Sequence, residues 1–219
     1  MPEIFKIDPE DEDSLKNRSK QIKDALRQGG VIAFPTDTFY ALGADPFNER
    51  GVCKIFEIKS READQPLLVL VASIAQVECL AVARSQEADQ LMRECWPAPL
   101  TLILKAVPEL PKRLTANTET IGVRLPKNDW TRRLIEVAGC PLTAPSANKS
   151  GEKNLRTADE VRRSLGDTID LIIDAGPAPG GKVSTLLDTT VSPPVLIRQG
   201  AVTREKIESI LKTECSPAS

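Results

Sequence analysis

The chain has 219 residues, of which 41% are apolar and 27% charged, and its formal net charge is −2. This length can bury one sizeable core, and the nearly balanced charge argues against a bulk nucleic-acid or membrane-surface binder. Only 4% of the residues are aromatic, which argues against a stacking platform for single strands. No apolar run approaches the ~20 residues of a membrane helix, and the acidic N-terminal segment has no secretory h-region, so we expect a cytoplasmic protein.

Histidine is absent from the sequence. Its absence excludes Ser-His-Asp and Cys-His catalysis and every metal site with an imidazole ligand. The cysteines are odd in number and form no C-x-x-C pair, so we expect free thiols and no protein-held metal. They are Cys53, Cys79, Cys95, Cys140 and Cys215. Any chemistry must therefore use carboxylates, lysine, arginine, hydroxyls, backbone amides or a bound substrate.

Helical and strand patterns alternate in the first half of the chain. Residues 14–28 have a 3.6-residue apolar period and end at two glycines, which predicts a helix. The short apolar run Val31–Phe34 predicts a strand buried on both faces. Asn48 can cap a second helix. Pro66 introduces another buried strand, and residues 73–95 predict two helices.

The second half continues the alternation, with some strands that follow one another directly. We predict strands at 101–106, 121–125, 141–144, 169–174, 184–188 and 194–198. We predict helices at 129–138, from a capping box at Thr157 and Glu160 through Leu165, and from about Thr203. About eight strands and about six helices indicate an α/β fold with a mixed sheet flanked by helices.

Two pairs of polar residues could bind an anion. Lys59 and Arg61, at the end of a helical stretch and on an expected exposed loop, could converge on one polyphosphate, or they could simply cap the helix. Ser146 and Asn148, in a turn after a strand, could hydrogen-bond a phosphate or carboxylate, or they could serve the turn itself.

Two further groups of residues leave similar alternatives open. Thr36 and Thr38 follow the first buried strand and could contact a polar substrate, with Asp37 orienting one of them. Alternatively, the three could form an ordinary turn or a helix cap. Arg124 and Arg198 lie in apolar strands, where an unpaired charge is costly to bury. Each arginine therefore needs an internal acid or an anionic ligand.

Seven segments, taken in order across roughly residues 20–208, resemble the YrdC-like threonylcarbamoyl-AMP synthases. They are GGVIAFPTDTFYALGADPFN, KSREADQPLLVLVA, WPAPLTLIL, TIGVRLP, APSANKSG, VSTLLD and VLIRQGAVT. The resemblance implies one domain over residues 1–219, of the short type without a C-terminal extension. It implies an open, twisted mixed β-sheet flanked by helices around a concave cavity. The implied reaction converts L-threonine, bicarbonate or CO2, and ATP into threonylcarbamoyl-AMP and pyrophosphate, the first step of threonylcarbamoyladenosine formation in tRNA.

The resemblance also assigns site residues. Lys59 and Arg61 fall at catalytic, ATP-phosphate-binding positions, and Ser146 and Asn148 at further phosphate-binding positions. Other nucleotide-contacting positions correspond to Thr120, Asn154 and Arg198. Positions that hold threonine correspond to Thr38, Arg124, Ala144 (through its backbone) and Ser184. Arg124 suits the threonine carboxylate because guanidinium and carboxylate pair bidentately.

The sequence departs from the family pattern at three places. Leu70 stands where many relatives carry histidine, which weakens one expected threonine contact. Ala41 stands where glycine is usual. The G-x-E-S-T pattern appears as residues 181–185, in which Lys182 adds a cation and Val183 replaces the acid.

The implied partners are ATP with Mg²⁺, L-threonine, bicarbonate or CO2, and a separate tRNA threonylcarbamoyl transferase that receives the product. Weak tRNA contact is compatible with this reading, and no membrane partner is implied.

Two alternative functions remain open. The first is an RNA-binding or ribosome-maturation module that uses the same cavity and a patch of Lys149, Lys153 and Arg156. The second is a carbamoyl-transfer domain that accepts an adenylate made elsewhere.

Overall fold

The computed structural model describes residues 2–62 and 64–217. In this part of the chain, the helices are α1 (Glu12–Lys16), α2 (Ser19–Arg27), α3 (Glu49–Lys59), α4 (Gln86–Glu94), α5 (Asp129–Ala138), α6 (Ala158–Leu165) and α7 (Arg204–Leu211). The strands are β1 (Glu3–Lys6), β2 (Ile32–Pro35), β3 (Tyr40–Gly43), β4 (Leu68–Leu70), β5 (Ala81–Ala83), β6 (Leu100–Ala106), β7 (Thr120–Arg124), β8 (Leu142–Thr143), β9 (Leu171–Asp174), β10 (Thr185–Asp188), β11 (Val195–Arg198) and β12 (Ser216–Pro217). No helix among the described residues is long and apolar enough to cross a bilayer.

The strands form two mixed sheets. The smaller has the order β1-β9-β2-β3, and the larger has the order β12-β11-β10-β6-β7-β4-β8, with β5 paired to β6. Both contain parallel and antiparallel pairs, for example β2 with β9 and β2 with β3. The predicted α/β class with a mixed sheet is therefore confirmed. The division into two sheets was not predicted, because it depends on pairings between distant segments.

The two sheets meet along a seam between β3 and residues 143–147. Leu42 N donates to Pro145 O at 2.9 Å, and Ala147 N donates to Tyr40 O at 2.8 Å. Thr143 strengthens the seam, because its N donates to Ala44 O and its hydroxyl accepts from Ala44 N at 2.8 Å. The seam joins the two sheets, and loops from both sides converge there.

Local signals placed most of the helices correctly. Asn48 caps α3 by accepting from Gly51 N, and Thr157 and Glu160 form the predicted capping box of α6. Two predicted helices were wrong in detail. The helix expected at 14–28 breaks between α1 and α2, and the first of two helices expected in 73–95 is a 3₁₀ helix at Ile74–Cys79, followed by β5.

Four short strands escaped prediction, namely β1, β3, β5 and β12. Each has two to four residues, too few for a periodic pattern to stand out. The absence of β3 from the prediction matters most, because this strand forms one side of the seam.

Helices pack against the sheets in two apolar clusters. One apolar cluster includes Ile55 of α3, Leu91 of α4 and Ile207 of α7, all fully buried. A second cluster includes Ile22 of α2 and Leu134 of α5. The strand residues and loops beside the seam that these clusters do not include line a cavity.

Replacing Thr143 by valine should destabilise the seam. Valine keeps the shape, but Ala44 N and Leu42 O then lose the hydroxyl that bonds both of them. We expect the free energy of unfolding in urea to fall by about 1–3 kcal/mol. Thr131→Val is the matched control, because Thr131 is equally buried and its hydroxyl makes a single 3.4 Å bond. Equal losses in both variants would contradict a special role of the seam.

Candidate active site

A cavity of about 400 Å³ opens at the seam. Residues from β3, β4, β6, β7, β10, β11 and the loops beside them line it. Eight of the eleven residues that the family resemblance assigned are among them: Thr38, Arg61, Arg124, Ala144, Ser146, Asn154, Ser184 and Arg198. The fold therefore gathers at one place residues that are up to 160 positions apart in the chain.

A single row of residues crosses the floor of this cavity. The strand registers pair Leu186 with Thr101 and Leu186 with Arg198, and the register of β6 with β7 continues to pair Thr101 with Arg124. The row therefore runs Arg124, Thr101, Leu186, Arg198, and all four side chains line the cavity. Because residues in one row of a sheet face the same side, the two guanidinium groups flank a common space.

Arg124 is the buried end of the row. Its side chain is 4% exposed, and Nη2 lies 3.2 Å from Asp37 Oδ1. Burial lowers the pKa of Arg124, the Asp37 carboxylate opposes this shift, and nearby Arg198 adds to it. Arg124 Nε has no hydrogen-bond partner among the described residues. The internal acid foreseen as one alternative is therefore Asp37, and it satisfies only part of the guanidinium.

Arg198 is the exposed end, contrary to the expectation that both arginines would be buried in their strands. It lies at the last position of β11, where its guanidinium reaches back to Ser184. Arg198 Nη2 donates to Ser184 O at 3.1 Å, and the Ser184 hydroxyl lies 3.0 Å from the hydroxyl of Thr101. Desolvation lowers the pKa of Arg198. The row thus ends in a guanidinium that can still accept an anion.

Lys59 and Arg61 do not lie together on an exposed loop as expected. Lys59 is the last residue of α3 and is 2% exposed. Its Nζ donates to Ser146 O at 2.6 Å, to Asn148 O at 2.7 Å and to Asn148 Oδ1 at 3.2 Å. Burial, reinforced by the charge of Arg61, lowers the pKa of Lys59 to about 8. Lys59 therefore fixes the loop that carries Ser146 and Asn148.

Arg61 lines the cavity itself. Its Nε donates to Gln65 O and its Nη2 to Pro66 O, both at 3.0 Å. Burial lowers its pKa, and the charge of Asp64 opposes that shift. The two carbonyls hold the guanidinium at the cavity wall without neutralising its charge.

The loop after β8 supplies short polar groups. Ser146 Oγ donates to Asn148 Oδ1 at 2.5 Å, and Asn148 Nδ2 donates to Glu152 O. Asn148 does not line the cavity, so it acts on Ser146, whereas Asn154 lines the cavity directly. Ala144 N already donates to Leu68 O, and any further backbone contact of Ala144 must use its carbonyl.

The turn before β3 forms the opposite wall. Thr36 Oγ1 donates to Phe39 O and lies 3.1 Å from Thr38 Oγ1, so these hydroxyls take part in an ordinary turn. Both threonines also line the cavity. Tyr40 is fully buried and its hydroxyl donates to Gly176 O at 2.9 Å. Burial and nearby Asp174 raise the Tyr40 pKa, so this phenol stays neutral.

Thr120 lies apart from the other expected residues. It occupies the other end of β7 from Arg124, its hydroxyl lies 2.8 Å from that of Thr118, and it lines a neighbouring cavity. Sequence reasoning missed Thr101, Leu186 and Tyr40 as lining residues. A threonine within the apolar run TLILKA was a weak signal for the first, but register between distant strands is needed to place it.

The departures from the family pattern also have clear positions. Leu70 is fully buried in the second apolar cluster and does not line the cavity. Ala41 lines the cavity and bridges to Ser146 across the seam. Val183 lines it as well, where an acid is usual, while Lys182 is exposed.

The charge balance of the cavity defines what it can hold. Arg61, Arg124 and Arg198 line it, and no carboxylate does. Asp37, which stands behind Arg124, offsets one charge. Among the described residues, no group of three histidine, cysteine, aspartate or glutamate side chains could hold a metal ion, and all five cysteines are free. The arrangement fits anionic ligands and offers no protein-based metal site in that part of the chain.

Comparison with known proteins identifies the relatives of this chain. A Pyrococcus abyssi protein named threonylcarbamoyl-AMP synthase is 41% identical over 186 residues, which cover 85% of this chain and 55% of the relative. A Bacillus subtilis protein of the same name is 41% identical over 203 residues, covering 91% and 59%. The chain thus spans little more than half the length of these two relatives. A Mycobacterium tuberculosis protein named putative threonylcarbamoyl-AMP synthase is 33% identical, with 88% of each chain covered.

Solved structures give the same picture. P. abyssi Sua5 complexed with L-threonine matches with a TM-score of 0.90 and 36% identity, over 98% of this chain and 62% of the other. Escherichia coli YciO matches with a TM-score of 0.82 and 27% identity, over 94% of this chain and all of the other. Residues 24–200 match the Sua5/YciO/YrdC family, whose description reads "Telomere recombination". The fold, the ordered motifs and this match together establish that the chain belongs to the Sua5/YciO/YrdC family.

Proposed function

We propose that the chain is an L-threonylcarbamoyladenylate synthase, a nucleotidyltransferase that acts in tRNA modification. The observation that carries the proposal is a cavity lined by three arginines and no carboxylate. The substrates, the threonine carboxylate, the carbamate and the triphosphate, are all anions. Relatives at 41% identity bear the name of this enzyme, and the structurally similar P. abyssi Sua5 has been solved with L-threonine.

In this proposal the two ends of the cavity bind different substrates. Arg124, at the buried end, would pair with the threonine carboxylate, with Thr38, Ser184 and the Ala144 carbonyl beside it. Arg61 and Arg198 would face the ATP phosphates. Other groups assigned to the nucleotide are Lys59, Ser146, Asn148, Asn154 and Thr120. In this assignment Lys59 acts through the Ser146 loop, and Thr120 would be reached by the nucleoside end of ATP.

The proposed mechanism needs no histidine. The threonine amine adds CO2 to form a carbamate, a carbamate oxygen attacks the α-phosphorus of ATP, and pyrophosphate leaves. Since the nucleophile is already an anion at the attack, positioning and charge stabilisation can supply the catalysis. Fixed guanidinium groups suit that role because they need no reorganisation as negative charge moves to the leaving pyrophosphate.

Mg²⁺ would enter as part of the MgATP substrate. The cavity lining lacks the carboxylates that usually hold this ion in a protein, so its ligands would be phosphate oxygens and water. We further propose that the reaction takes place in the cytosol, where free cysteines persist. The product would pass to a separate tRNA threonylcarbamoyl transferase.

Pyrophosphate release by the purified chain should require ATP, L-threonine and bicarbonate together. Leaving out threonine or bicarbonate should reduce release to the buffer background, because the nucleophile then cannot form. A coupled phosphate assay with pyrophosphatase measures this directly.

The same assay separates the alternatives. A carbamoyl-transfer domain that accepts a ready-made adenylate, or an RNA-binding module, would show no threonine-dependent turnover of ATP. Release that proceeds equally well without threonine would contradict the proposal. Steep salt dependence of RNA binding without any turnover would favour the RNA-binding module.

The buried ammonium of Lys59 should leave a signature in the pH dependence of stability. The pKa of about 8 lies below the ordinary 10.5, so between these values the unfolded chain binds more protons at this position than the folded chain. The free energy of unfolding therefore rises with pH in that window. Relative to Lys59→Met, the wild type should gain about 2–3 kcal/mol between pH 7.5 and 10. The free energies of unfolding of both proteins are measured in urea. A difference between them that stays constant from pH 7.5 to 10 would contradict the lowered pKa of Lys59.

A further inference from the structure

A residue without a side chain, Gly122, lies beside the floor of the cavity. Gly122 lies two residues before Arg124 on β7, so both positions face the same side of the sheet. A Cβ at Gly122 would lie 3.3 Å from Thr101 Cγ2 and 3.7 Å from Leu68 Cβ. Thr101 and Leu68 both line the cavity, so the missing side chain leaves a notch in its floor.

The notch has one apolar wall and one polar wall. Leu68 and the methyl group of Thr101 border it closely. The hydroxyl of Thr101, on the same side chain, pairs with that of Ser184 at 3.0 Å, and both residues are at least 95% buried. A small branched group with one methyl and one hydroxyl would match these two walls.

The position of the notch fits the proposed substrate. Two residues along a strand span about 6.6 Å, which is within the length of an amino acid. An amino acid whose carboxylate pairs with Arg124 is therefore long enough to place its side chain near Gly122. Apolar contact and hydroxyl pairing are then available at the point where the substrate carries its methyl and its hydroxyl.

We propose that Gly122, Thr101 and Leu68 determine the side-chain specificity of the amino-acid site, with Gly122 providing room for the β-methyl group and Thr101 reading the hydroxyl. This inference rests on the proposed function, because it names the group of that substrate which each residue selects. Thr101 contacts the substrate hydroxyl either itself or through Ser184 Oγ.

Gly122→Ala tests the steric half of the proposal. The added methyl would meet only the end of the Thr101 side chain closely, so we expect the variant to fold. The added methyl group fills the notch. The substrate threonine needs this space for its β-methyl group, whereas serine, which has no β-methyl group, does not. The ratio of kcat/KM for threonine to that for serine should fall about tenfold. Gly51→Ala is the matched control, because its Cβ would also meet a buried side chain, Ala44 Cβ at 3.1 Å, but in α3 and away from the cavity.

Thr101→Val tests the polar half and does not depend on Gly122→Ala folding. Valine keeps the methyl and removes the hydroxyl, so the preference for threonine over valine should fall by at least tenfold. An unchanged threonine-to-serine ratio of kcat/KM in folded Gly122→Ala would contradict the steric role of Gly122, and so would an equal change in Gly51→Ala. An unchanged threonine-to-valine ratio of kcat/KM in Thr101→Val would contradict the role of the Thr101 hydroxyl. Absence of threonine-dependent turnover in the wild type would instead refute the proposed function itself.

Discussion

The buried guanidinium of Arg124 is the constraint on which the site depends. A charge at 4% side-chain exposure is costly unless it is paired, and the chain supplies one carboxylate, that of Asp37, at 3.2 Å. Asp37 is itself fixed by the amide of Lys127, so the turn before β3 and the end of β7 are held together at this point. The pair leaves Arg124 Nε without a partner among the described residues. The strand registers place a second arginine, Arg198, in the same row. The fold thus contains an excess of positive charge that a bound anion would relieve.

The cavity exists because of pairings between distant segments. The β3 seam joins two sheets through hydrogen bonds between residues about 100 positions apart, such as Leu42 and Pro145. The floor is a row across β7, β6, β10 and β11, and the buried Lys59 ammonium shapes the loop above it. Rigid strands therefore carry the groups that need fixed positions, while loops supply the small hydroxyl and amide groups. Such preorganisation suits a reaction that relies on orientation and charge stabilisation.

Local patterns predicted the parts of this protein that depend on neighbours in the sequence. The caps at Asn48 and Thr157 placed helix starts, and ordered motifs brought Arg61, Arg124 and Ser146 into one site. The features that the sequence did not predict depend on tertiary contacts. The strand β3 is too short to show a period, and the exposure of Lys59 could not be read from its place at a helix end. The Asp37 partner of Arg124 and the cavity role of Thr101 follow from register, which a single sequence does not reveal.

The proposed function requires the partly satisfied Arg124 to receive the carboxylate of the amino-acid substrate. The most direct measurement compares KM for threonine and for threonine amide in the wild type and in Arg124→Lys, with melting curves to verify folding. Lysine keeps the charge beside Asp37 but loses the planar fork, so KM for threonine should rise about 10- to 100-fold while KM for ATP changes little. Threonine amide should be a poor substrate of the wild type. Equal use of threonine and its amide, or a parallel loss of both threonine and ATP binding with a lowered melting temperature, would show that Arg124 serves only its ion pair with Asp37.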